Sequence, residues 1–252
     1  MSNFEEYENP ERYDAENEAY KPELPLLSEY AKLVCGPITD LACGTGRTAI
    51  PLAELGFSVT GVDIQKNMLN RAKEKGAQRN VSINWLHADL TDFKLAEKSK
   101  LLYMVGNSFQ HFLTNEDQDN LLKCVTASLQ EGGYFIFDTR FPCKEELLQP
   151  VTEEYWKTYK EHKSGLSVQL STISHYDDVR QIQHYVTIRK FIKENGEVQK
   201  ESRTNIKLRY VYPQELKRLL ASHQLEMVAI YEDWNKTPLK NGSQNMICIC
   251  RK

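Results

Sequence analysis

The sequence lacks a long uninterrupted run of apolar residues, and it carries no strong excess of either charge. A helix that spans a membrane needs about 20 mostly apolar residues in a row, and no segment approaches that length. The N-terminus also lacks the basic-then-apolar pattern of a signal peptide. A formal net charge of -3 offers no general attraction for a phosphate backbone. We therefore expect a cytoplasmic protein that binds neither membrane nor nucleic acid.

The six cysteines lack the paired C-x-x-C spacing that is typical of zinc sites. We therefore expect no metal site, and we expect these thiols to be reduced and mostly buried, as in other cytosolic proteins. They are Cys35, Cys43, Cys124, Cys143, Cys248 and Cys250.

Short apolar stretches alternate with helical patterns that end near a glycine, from residue 38 onward. This alternation is typical of βαβ units and predicts a parallel sheet. Strands are predicted at residues 38–43, 57–62, 81–86, 101–105 and 134–137. Helices are predicted at residues 47–55, 65–75 and 116–129, after a largely helical stretch at 10–34 that Pro22 and Pro25 interrupt.

The pattern changes after Pro150, where apolar and polar residues alternate with a period near two from about 155 to 210. An Asn-Gly pair at 195–196 predicts a hairpin turn, because these residues tolerate positive φ. We therefore predict an antiparallel sheet in an inserted subdomain, residues 151–210. A helix at 213–223 and strands at 227–231 and 246–250 would complete the main domain, which we assign to residues 1–150 and 211–252.

The segment from Ile38 to Arg47 runs from a predicted buried strand through a glycine turn into a helix. Gly44 and Gly46 let the backbone approach a ligand closely, and the helix N-terminus offers free N–H groups. By itself, a Gly-x-Gly turn also fits an ordinary chain reversal.

Three aspartates lie on or near the carboxyl ends of consecutive predicted strands, where open α/β sheets bind ligands. Asp63 is placed to accept hydrogen bonds from both ribose hydroxyls of a nucleoside. Asp89 could meet the exocyclic amine of an adenine. Asp40 lies inside an apolar strand, where an unpaired charge is costly, so we expect its partner to be a backbone N–H or a ligand ammonium group.

The segment Asp40-Leu41-Ala42-Cys43-Gly44-Thr45-Gly46 closely resembles the first motif of class I S-adenosylmethionine-dependent methyltransferases. Asp63, Asp89 and Gly106-Asn107-Ser108 resemble the later motifs of that family in order, and the resemblance extends to the final strand pair. It implies a doubly wound α/β fold whose seven-stranded sheet has the order 3-2-1-4-5-7-6, with strand 7 antiparallel.

The resemblance also implies where S-adenosylmethionine would bind. The methionine end would lie by the two glycines of the turn, the ribose on Asp63 and the adenine near Asp89. Tyr13 and Tyr20 resemble the N-terminal cover of members that act on small molecules. The predicted cofactor-binding residues are Tyr13, Tyr20, Asp40, Gly44, Gly46, Arg47, Asp63, Ile64, Met68, Asp89, Leu90 and Asn107.

The insertion and the segment from Arg209 to Leu216 resemble the sugar- and amine-directed N-methyltransferase branch. The Asn-Pro-Pro-Tyr motif of DNA and protein-glutamine amino-methyltransferases is replaced by Gly106-Asn107-Ser108-Phe109. We therefore expect a small-molecule acceptor, methylated on nitrogen or oxygen.

Methyl transfer from a sulfonium depends mainly on positioning, so no obligatory catalytic residue follows from the sequence. His111, after the fourth strand, is a candidate general base, and a structural histidine fits the sequence at least as well. Asp138 and Arg140 could orient a substrate or form a surface salt bridge. Polar and aromatic residues of the insertion could line an acceptor pocket or pack in a core: Trp156, Tyr159, His175, Tyr176, His184, Tyr185, Arg203 and Arg209.

Three alternatives stay open. An RNA methyltransferase would share the cofactor motifs, although no basic face or RNA-binding module is visible. An NAD-dependent oxidoreductase fits Gly44-x-Gly46-x-x-Ala49 and Asp63, but it does not explain Asp40 or an antiparallel last strand. A non-catalytic cofactor-binding partner subunit would retain the same motifs.

Overall fold

Eleven strands and seven α-helices follow one another within residues 3–161 and 164–252, the part of the chain that the computed structural model describes. The strands are β1 (Ile38–Leu41), β2 (Val59–Asp63), β3 (Asn84–His87), β4 (Ser99–Met104), β5 (Leu129–Arg140), β6 (Glu154–Lys160), β7 (Ser167–Asp177), β8 (Ile182–Ile192), β9 (Val198–Arg209), β10 (Glu226–Tyr231) and β11 (Asn245–Arg251). The α-helices are α1 (Pro10–Asn17), α2 (Leu24–Val34), α3 (Ala49–Glu54), α4 (Lys66–Gln78), α5 (Asn115–Ser128), α6 (Lys144–Leu147) and α7 (Pro213–Ser222). Residues 1, 2, 162 and 163, which fall within the predicted main domain and the predicted insertion, lie outside the described residues.

Seven strands form one mixed sheet in the order β10-β11-β5-β4-β1-β2-β3. The strands from β5 through β4 and β1 to β2 and β3 pair in parallel, whereas β11 is antiparallel to both β5 and β10. Counted along this sheet alone, β10 and β11 are the sixth and seventh strands. The predicted order 3-2-1-4-5-7-6 with an antiparallel seventh strand is therefore confirmed.

The sheet is buried on both faces because successive residues of β4 point to opposite sides. Leu102 and Met104 pack in a cluster with the apolar residues of α5 and α7. Leu101 and Tyr103 pack in a second cluster on the other face, with α2 and α3. Removing each leucine side chain of these clusters from water stabilises the fold by about 1.5–3 kcal/mol. This double burial leaves the ends of the parallel strands as the natural place for a ligand.

A second sheet is formed by β6, β7, β8 and β9, all antiparallel in that order. The predicted hairpin between β8 and β9 is confirmed: Gly196 has φ of 84°, and Lys193 N donates to Glu197 O at 2.9 Å. The sheet as a whole is inserted in the sequence between β5 and α7.

Several predicted boundaries were wrong for identifiable reasons. The predicted interruption of the stretch 10–34 is present between α1 and α2, but Pro25 lies inside the first turn of α2, where its missing N–H costs nothing. The helix predicted from Arg47 begins at Ala49, because Gly46 with φ of 78° belongs to the turn. Strand β5 extends over twelve residues, since it is paired on both sides by β4 and β11. Its two glycines, 132 and 133, therefore lie inside the strand rather than ending α5.

Candidate active site

A cavity of about 260 Å³ lies at the carboxyl ends of β1, β2, β3 and β4. Its wall includes Gly44 and Asp63, which come from the first two strand ends. Asp89 and Gly106 follow the third and fourth strands. The residues that the sequence places after four separate strands therefore meet around one space.

The turn after β1 adopts backbone conformations that favour glycine. Gly44 and Gly46 have φ of 54° and 78°, in the left-handed region. A methyl group built on Gly44 would lie 3.4 Å from Met68 Cε and 4.0 Å from Tyr13 Cε1, two side chains of the cavity wall. On Gly46, the same group would come within 2.9 Å of Trp85. Glycine at 44 thus keeps the cavity open, whereas glycine at 46 lets the turn pack on β3.

Asp63 connects the glycine turn to the end of β2. Its Oδ2 accepts a hydrogen bond from Gly44 N at 2.7 Å, and its Oδ1 accepts one from Gln65 N at 2.7 Å. Burial raises the pKa of this carboxyl, against the opposing effect of the two backbone donors. Each oxygen retains a further lone pair, so a carboxylate fixed in this orientation can accept hydrogen bonds from a pair of neighbouring hydroxyls.

Asp40 lies on β1, fully buried behind the turn. Its Oδ2 accepts a hydrogen bond from Thr48 Oγ1 at 2.8 Å, so its protein donor is a side-chain hydroxyl and not the backbone N–H that we expected. Among the described residues, its Oδ1 has no hydrogen-bond partner. Burial raises the pKa of Asp40 from 3.8 to about 7.

Arg47 is the guanidinium at the centre of these acidic groups. It is 9% exposed, pairs with Glu23, and donates to the backbone oxygen of Tyr20. Asp40 and Asp138 both lie near enough to raise its pKa, although burial opposes that shift. Burial in turn raises the pKa of Asp138 from 3.8 to about 7. One guanidinium thus faces several buried carboxylates, and the surroundings of the cavity are electronegative.

Asp89 is exposed at the cavity rim. Its Oδ1 accepts hydrogen bonds from Thr91 N and Thr91 Oγ1, both at 2.8 Å, which closes a tight turn after β3. Leu90 and Ile64 line the wall beside it. This combination provides an apolar slot with a carboxylate at its edge, a suitable environment for a heteroaromatic ring with an amino group.

His111 ends a short 3-10 helix that follows β4, and it lines the cavity. Its Nε2 lies 2.8 Å from Tyr7 Oη, and its Nδ1 lies 3.4 Å from Asn3 Nδ2. The Asn3 amide is oriented by Lys207, whose N donates to Oδ1 at 2.6 Å and whose O accepts from Nδ2 at 3.0 Å. Because Asn3 Nδ2 can only donate, Nδ1 is the acceptor and Nε2 of the neutral ring carries the proton to Tyr7.

Burial lowers the pKa of His111 from 6.5 to about 4, so the ring is neutral at pH 7. With both nitrogens engaged by Tyr7 and Asn3, the ring is fixed in the wall and does not offer a free basic nitrogen. This arrangement favours the structural role that the sequence left open for His111.

Most, but not all, of the predicted site residues reach the cavity. The predicted residues that line it are Tyr13, Gly44, Asp63, Ile64, Met68, Asp89, Leu90 and His111. Those that do not line it are Tyr20, Asp40, Gly46, Arg47 and Asn107. The Tyr20 side chain is 74% exposed, apart from the cavity. Asn107 lies between two wall residues, and its buried Oδ1 has no partner among the described residues.

Asp138 and Arg140 lie within β5 and not beyond it, which corrects the sequence-based placement. Asp138 Oδ1 accepts a hydrogen bond from Asn107 N at 2.9 Å and so holds the turn after β4. Arg140 Nη1 pairs with Glu146 at 2.7 Å and donates a hydrogen bond to Tyr185 Oη at 2.8 Å. Asp138 therefore stabilises the site from a buried position, and Arg140 joins the main sheet to the inserted sheet.

The candidate acceptor residues of the insertion lie outside this cavity wall. His175 and His184 stack on each other across β7 and β8, with ring centroids 4.5 Å apart. Tyr185 and Arg209 are buried in polar contacts between the insertion and the main domain. In the described part of the chain, no group of three or more His, Cys, Asp or Glu side chains could hold a metal ion.

Three aromatic wall residues were missed by the sequence analysis: Phe4, Tyr7 and Phe112. Phe4 and Tyr7 precede α1 and reach the cavity beside His111, with ring centroids 6.5 and 5.5 Å from the histidine ring. No motif marks Phe4 or Tyr7, because their place in the wall depends on contacts with residues remote in sequence, such as the hydrogen bond from Asn67 Nδ2 of α4 to Tyr7 O at 2.9 Å.

The residues present suit S-adenosylmethionine. Asp63 fits a ribose, the slot by Leu90 fits an adenine, and the unpartnered Asn107 Oδ1 can accept a hydrogen bond from an ammonium group. The ligand carries a sulfonium and an ammonium against one carboxylate, so its net charge complements an electronegative site.

Comparison with known proteins agrees with this geometry. Residues 38–133 match the family model described as a methyltransferase domain. The chain is 35% identical to the glycine N-methyltransferase of Rattus norvegicus over 131 residues, which cover 46% of this chain and 43% of that enzyme. The chain spans less than half the length of such curated relatives in these alignments.

Solved structures resemble the whole chain. An S-adenosylmethionine-dependent methyltransferase from Clostridium acetobutylicum superimposes with a TM-score of 0.78 at 19% identity, covering 95% of this chain and 96% of that one. An amino pentose methyltransferase from Micromonospora echinaspora gives a TM-score of 0.73 at 16% identity, with 96% of each chain covered. The chain therefore has the class I methyltransferase fold, and the predicted resemblance is confirmed.

Proposed function

We propose that this chain, with its class I methyltransferase fold, is an S-adenosylmethionine-dependent methyltransferase that acts on a small molecule. The observation that carries the proposal is the clamp on Asp63, whose two carboxylate oxygens are held by Gly44 N and Gln65 N at 2.7 Å each in the cavity wall. The clamp joins the glycine turn to the acidic end of β2, and so it brings together the groups that recognise the two parts of the cofactor.

The charge around the cavity supports the same cofactor. Glu23, Asp40, Asp63 and Asp138 are all buried, and Arg47 is the buried cation among them. A ligand with a net positive charge offsets this excess of buried acidic groups over cations. The demethylated product has lost the sulfonium charge and therefore offsets less of it. We infer that the same carboxylates favour binding of the cofactor and release of its product.

Bound S-adenosylmethionine would supply a methyl group on a positively charged sulfur, a good leaving group. The chain contributes position: the glycine turn and Asp63 hold the cofactor, and the rings of Tyr7 and Phe4 cover the side of the cavity by His111. Alignment of a nucleophile with the methyl group can supply about 7–11 kcal/mol of the acceleration.

We further propose that the acceptor atom is a nitrogen. An oxygen nucleophile needs a base, and His111, with a pKa lowered to about 4 by burial and with both ring nitrogens engaged, is a poor one. An amine needs only its own lone pair. The similarity to a glycine N-methyltransferase and to an amino pentose methyltransferase supports the same choice.

We assign residues 151–210 to a substrate-side subdomain and the remaining residues, 1–150 and 211–252, to the cofactor domain, again as proposals. Arg47 and Asp40 would then act from behind the wall, by fixing its charge and shape, whereas Asn107, between two wall residues, would accept a hydrogen bond from the ammonium group of the cofactor. A cytoplasmic location is proposed from the six free cysteines, which include four buried ones. No helix in the described residues is long and apolar enough to cross a bilayer.

The direct test is methyl transfer. Purified protein is incubated with S-adenosylmethionine carrying a labelled methyl group and with a panel of amino sugars, amino acids and simple amines, and the products are identified by mass spectrometry. We expect label on an amine nitrogen of at least one acceptor, and its loss in Asp63→Asn. A parallel incubation contains RNA as the acceptor. Transfer to RNA alone, or to oxygen alone, would contradict the proposed acceptor, and cofactor binding without any transfer would favour a non-catalytic partner subunit.

A further inference from the structure

The N-terminal strap, which we define as residues 3–20, forms one wall of the cavity. It contains a short 3-10 helix and α1, and it contributes the aromatic side chains of Phe4, Tyr7 and Tyr13. The rest of the wall comes from the ends of the main sheet and the turns and helices that follow them. Access to the cavity on this side therefore depends on how firmly the strap is held.

One set of contacts holds the strap to the main domain. Asp14 accepts a hydrogen bond from Thr45 Oγ1 at 2.6 Å, in the glycine turn itself. It also pairs with Arg71 and Lys75 of α4, each at 2.9 Å. These contacts act on the C-terminal half of the strap and are partly exposed. Nearer its start, Asn67 Nδ2 of α4 donates to Tyr7 O and Glu8 O, both at 2.9 Å.

A second set comes from the inserted sheet and centres on Arg189 of β8, which is 1% exposed. Its Nε and Nη2 donate to the two carboxylate oxygens of Glu16 at 2.7 and 2.9 Å. Its Nη2 also donates to Glu6 Oε2 at 2.5 Å, and its Nη1 donates to Thr204 Oγ1 at 2.7 Å. Glu6 lies before α1 and Glu16 near its end, so one side chain holds both halves of the strap.

The burial of this ion-pair cluster strengthens the attachment of the strap to the inserted sheet. Burial alone would raise the pKa of Glu6, but the charge and hydrogen bond of Arg189, together with hydrogen bonds from Thr204 and Thr187, keep the pKa below its ordinary value. If Arg189 is lost, two carboxylates remain in a site with little solvent and without their cation, which is far more costly than losing an exposed pair. The strap can therefore separate from the inserted sheet only by breaking an ion-pair network as a unit.

We propose that Arg189 is a positioning residue for the cofactor. Through Glu6 and Glu16, Arg189 holds the strap over the cavity and so limits the rate at which the ligand leaves. The inserted sheet then serves the cofactor site as well as the acceptor. This inference rests on the proposed function, because the ligand in question is the cofactor or its product.

The test is hydrogen exchange of the full chain, measured by mass spectrometry with and without S-adenosylhomocysteine, together with the dissociation rate of radiolabelled S-adenosylhomocysteine. In Arg189→Met, we expect exchange in residues 3–20 to accelerate by on the order of a hundredfold and ligand dissociation to accelerate with it. Protection in β1 and β4 should remain. Arg189→Lys keeps the charge but loses the fork of donors, and it should rescue part of both effects.

Two further variants make the result decisive. Glu16→Gln weakens the network from the strap side and leaves the inserted sheet unaltered, so it serves if Arg189→Met does not fold. Arg203→Met is the matched control, since Arg203 is on the neighbouring strand and pairs with Glu201 at an exposed position. Wild-type exchange and dissociation in Glu16→Gln, or equal acceleration across both sheets in Arg189→Met, would overturn the proposal. If the wild type binds no S-adenosylhomocysteine, the proposed function fails. Unchanged hydrogen exchange of the strap in the ligand-free variants would separately contradict the proposed role of Arg189.

Discussion

Buried carboxylates differ in role according to which groups surround them. Asp63 faces the cavity and is held by two backbone donors, so it is oriented to receive a ligand. Asp40 and Asp138 lie behind the wall, and burial raises the pKa of each to about 7. At the residue scale, the site thus combines one carboxylate that faces the cavity with two whose ionisation sets the local charge.

This difference predicts a pH-dependent stability. Because the pKa of Asp40 is raised from 3.8 to about 7, its contribution to stability is present at low pH and is lost as the pH rises through 7. Asp40→Asn removes this pH-dependent loss of stability. The melting temperature of the ligand-free variant should therefore exceed that of the wild type at pH 8.5 by several degrees, since each kcal/mol of unfolding free energy shifts it by about 2–4 °C. The advantage should shrink at pH 5.5, as followed by thermal unfolding. A constant difference at both pH values, or none, would show that Asp40 does not titrate in this range.

A second prediction separates backbone strain from blockage of the cavity. Gly44 and Gly56 both have positive φ, of 54° and 88°, so alanine at either should cost about 1–2 kcal/mol of stability. A methyl group at 44 meets Met68 and Tyr13 in the cavity wall, whereas at 56 it meets nothing within 4 Å. Calorimetry should therefore find S-adenosylhomocysteine affinity reduced about tenfold in Gly44→Ala, through a shape change in the wall, and unchanged in Gly56→Ala. Equal affinities in the two variants would mean that the turn does not contact the ligand.

At the scale of elements, the sequence predicted the main sheet well and the strap poorly. Most strands of the main sheet contain a short apolar run bounded by a glycine, an aspartate or a turn, and these signals are local. The strap depends on Arg189 in β8, and a charged residue in a strand normally faces solvent. Its burial results from contact with Glu6 and Glu16, residues far away in sequence. Local patterns cannot indicate that contact.

The packing of β2 on β3 gives a prediction at this scale. A methyl group on Gly61 would lie 2.5 Å from the Trp85 ring and 2.9 Å from Cys43 Sγ, and both are held by the sheet. Gly61→Ala should therefore lower the free energy of unfolding by about 1–3 kcal/mol in denaturant titration. Gly36→Ala is the matched control, because its new methyl group would meet only the flexible side chain of Lys100, at 2.7 Å. A loss in Gly36→Ala as large as in Gly61→Ala would contradict this reading of the packing.

At the scale of the whole molecule, the two sheets and the strap enclose the cavity from different directions. The main sheet supplies the turns that carry Gly44, Asp63 and Asp89, and the strap supplies a wall of aromatic rings. The inserted sheet holds the strap through Arg189 and contacts β5 through Tyr185 and Arg140. The motifs predicted the first of these parts, and the period-two pattern predicted the inserted sheet. The structure was needed to show how the strap and the inserted sheet meet, because that depends on contacts between segments remote in sequence.

The central claim, that the cavity binds S-adenosylmethionine through Asp63, is tested most directly by calorimetric titration with S-adenosylmethionine, S-adenosylhomocysteine and NAD. We predict that the wild type binds both sulfur nucleosides and not NAD. Asp63→Asn should weaken binding of both by roughly 10- to 100-fold, the effect of losing a charged hydrogen-bond acceptor. Asp178→Asn makes the same chemical change at an exposed turn and should bind like the wild type. Binding of NAD alone, or equal affinities in Asp63→Asn and the wild type, would contradict the account.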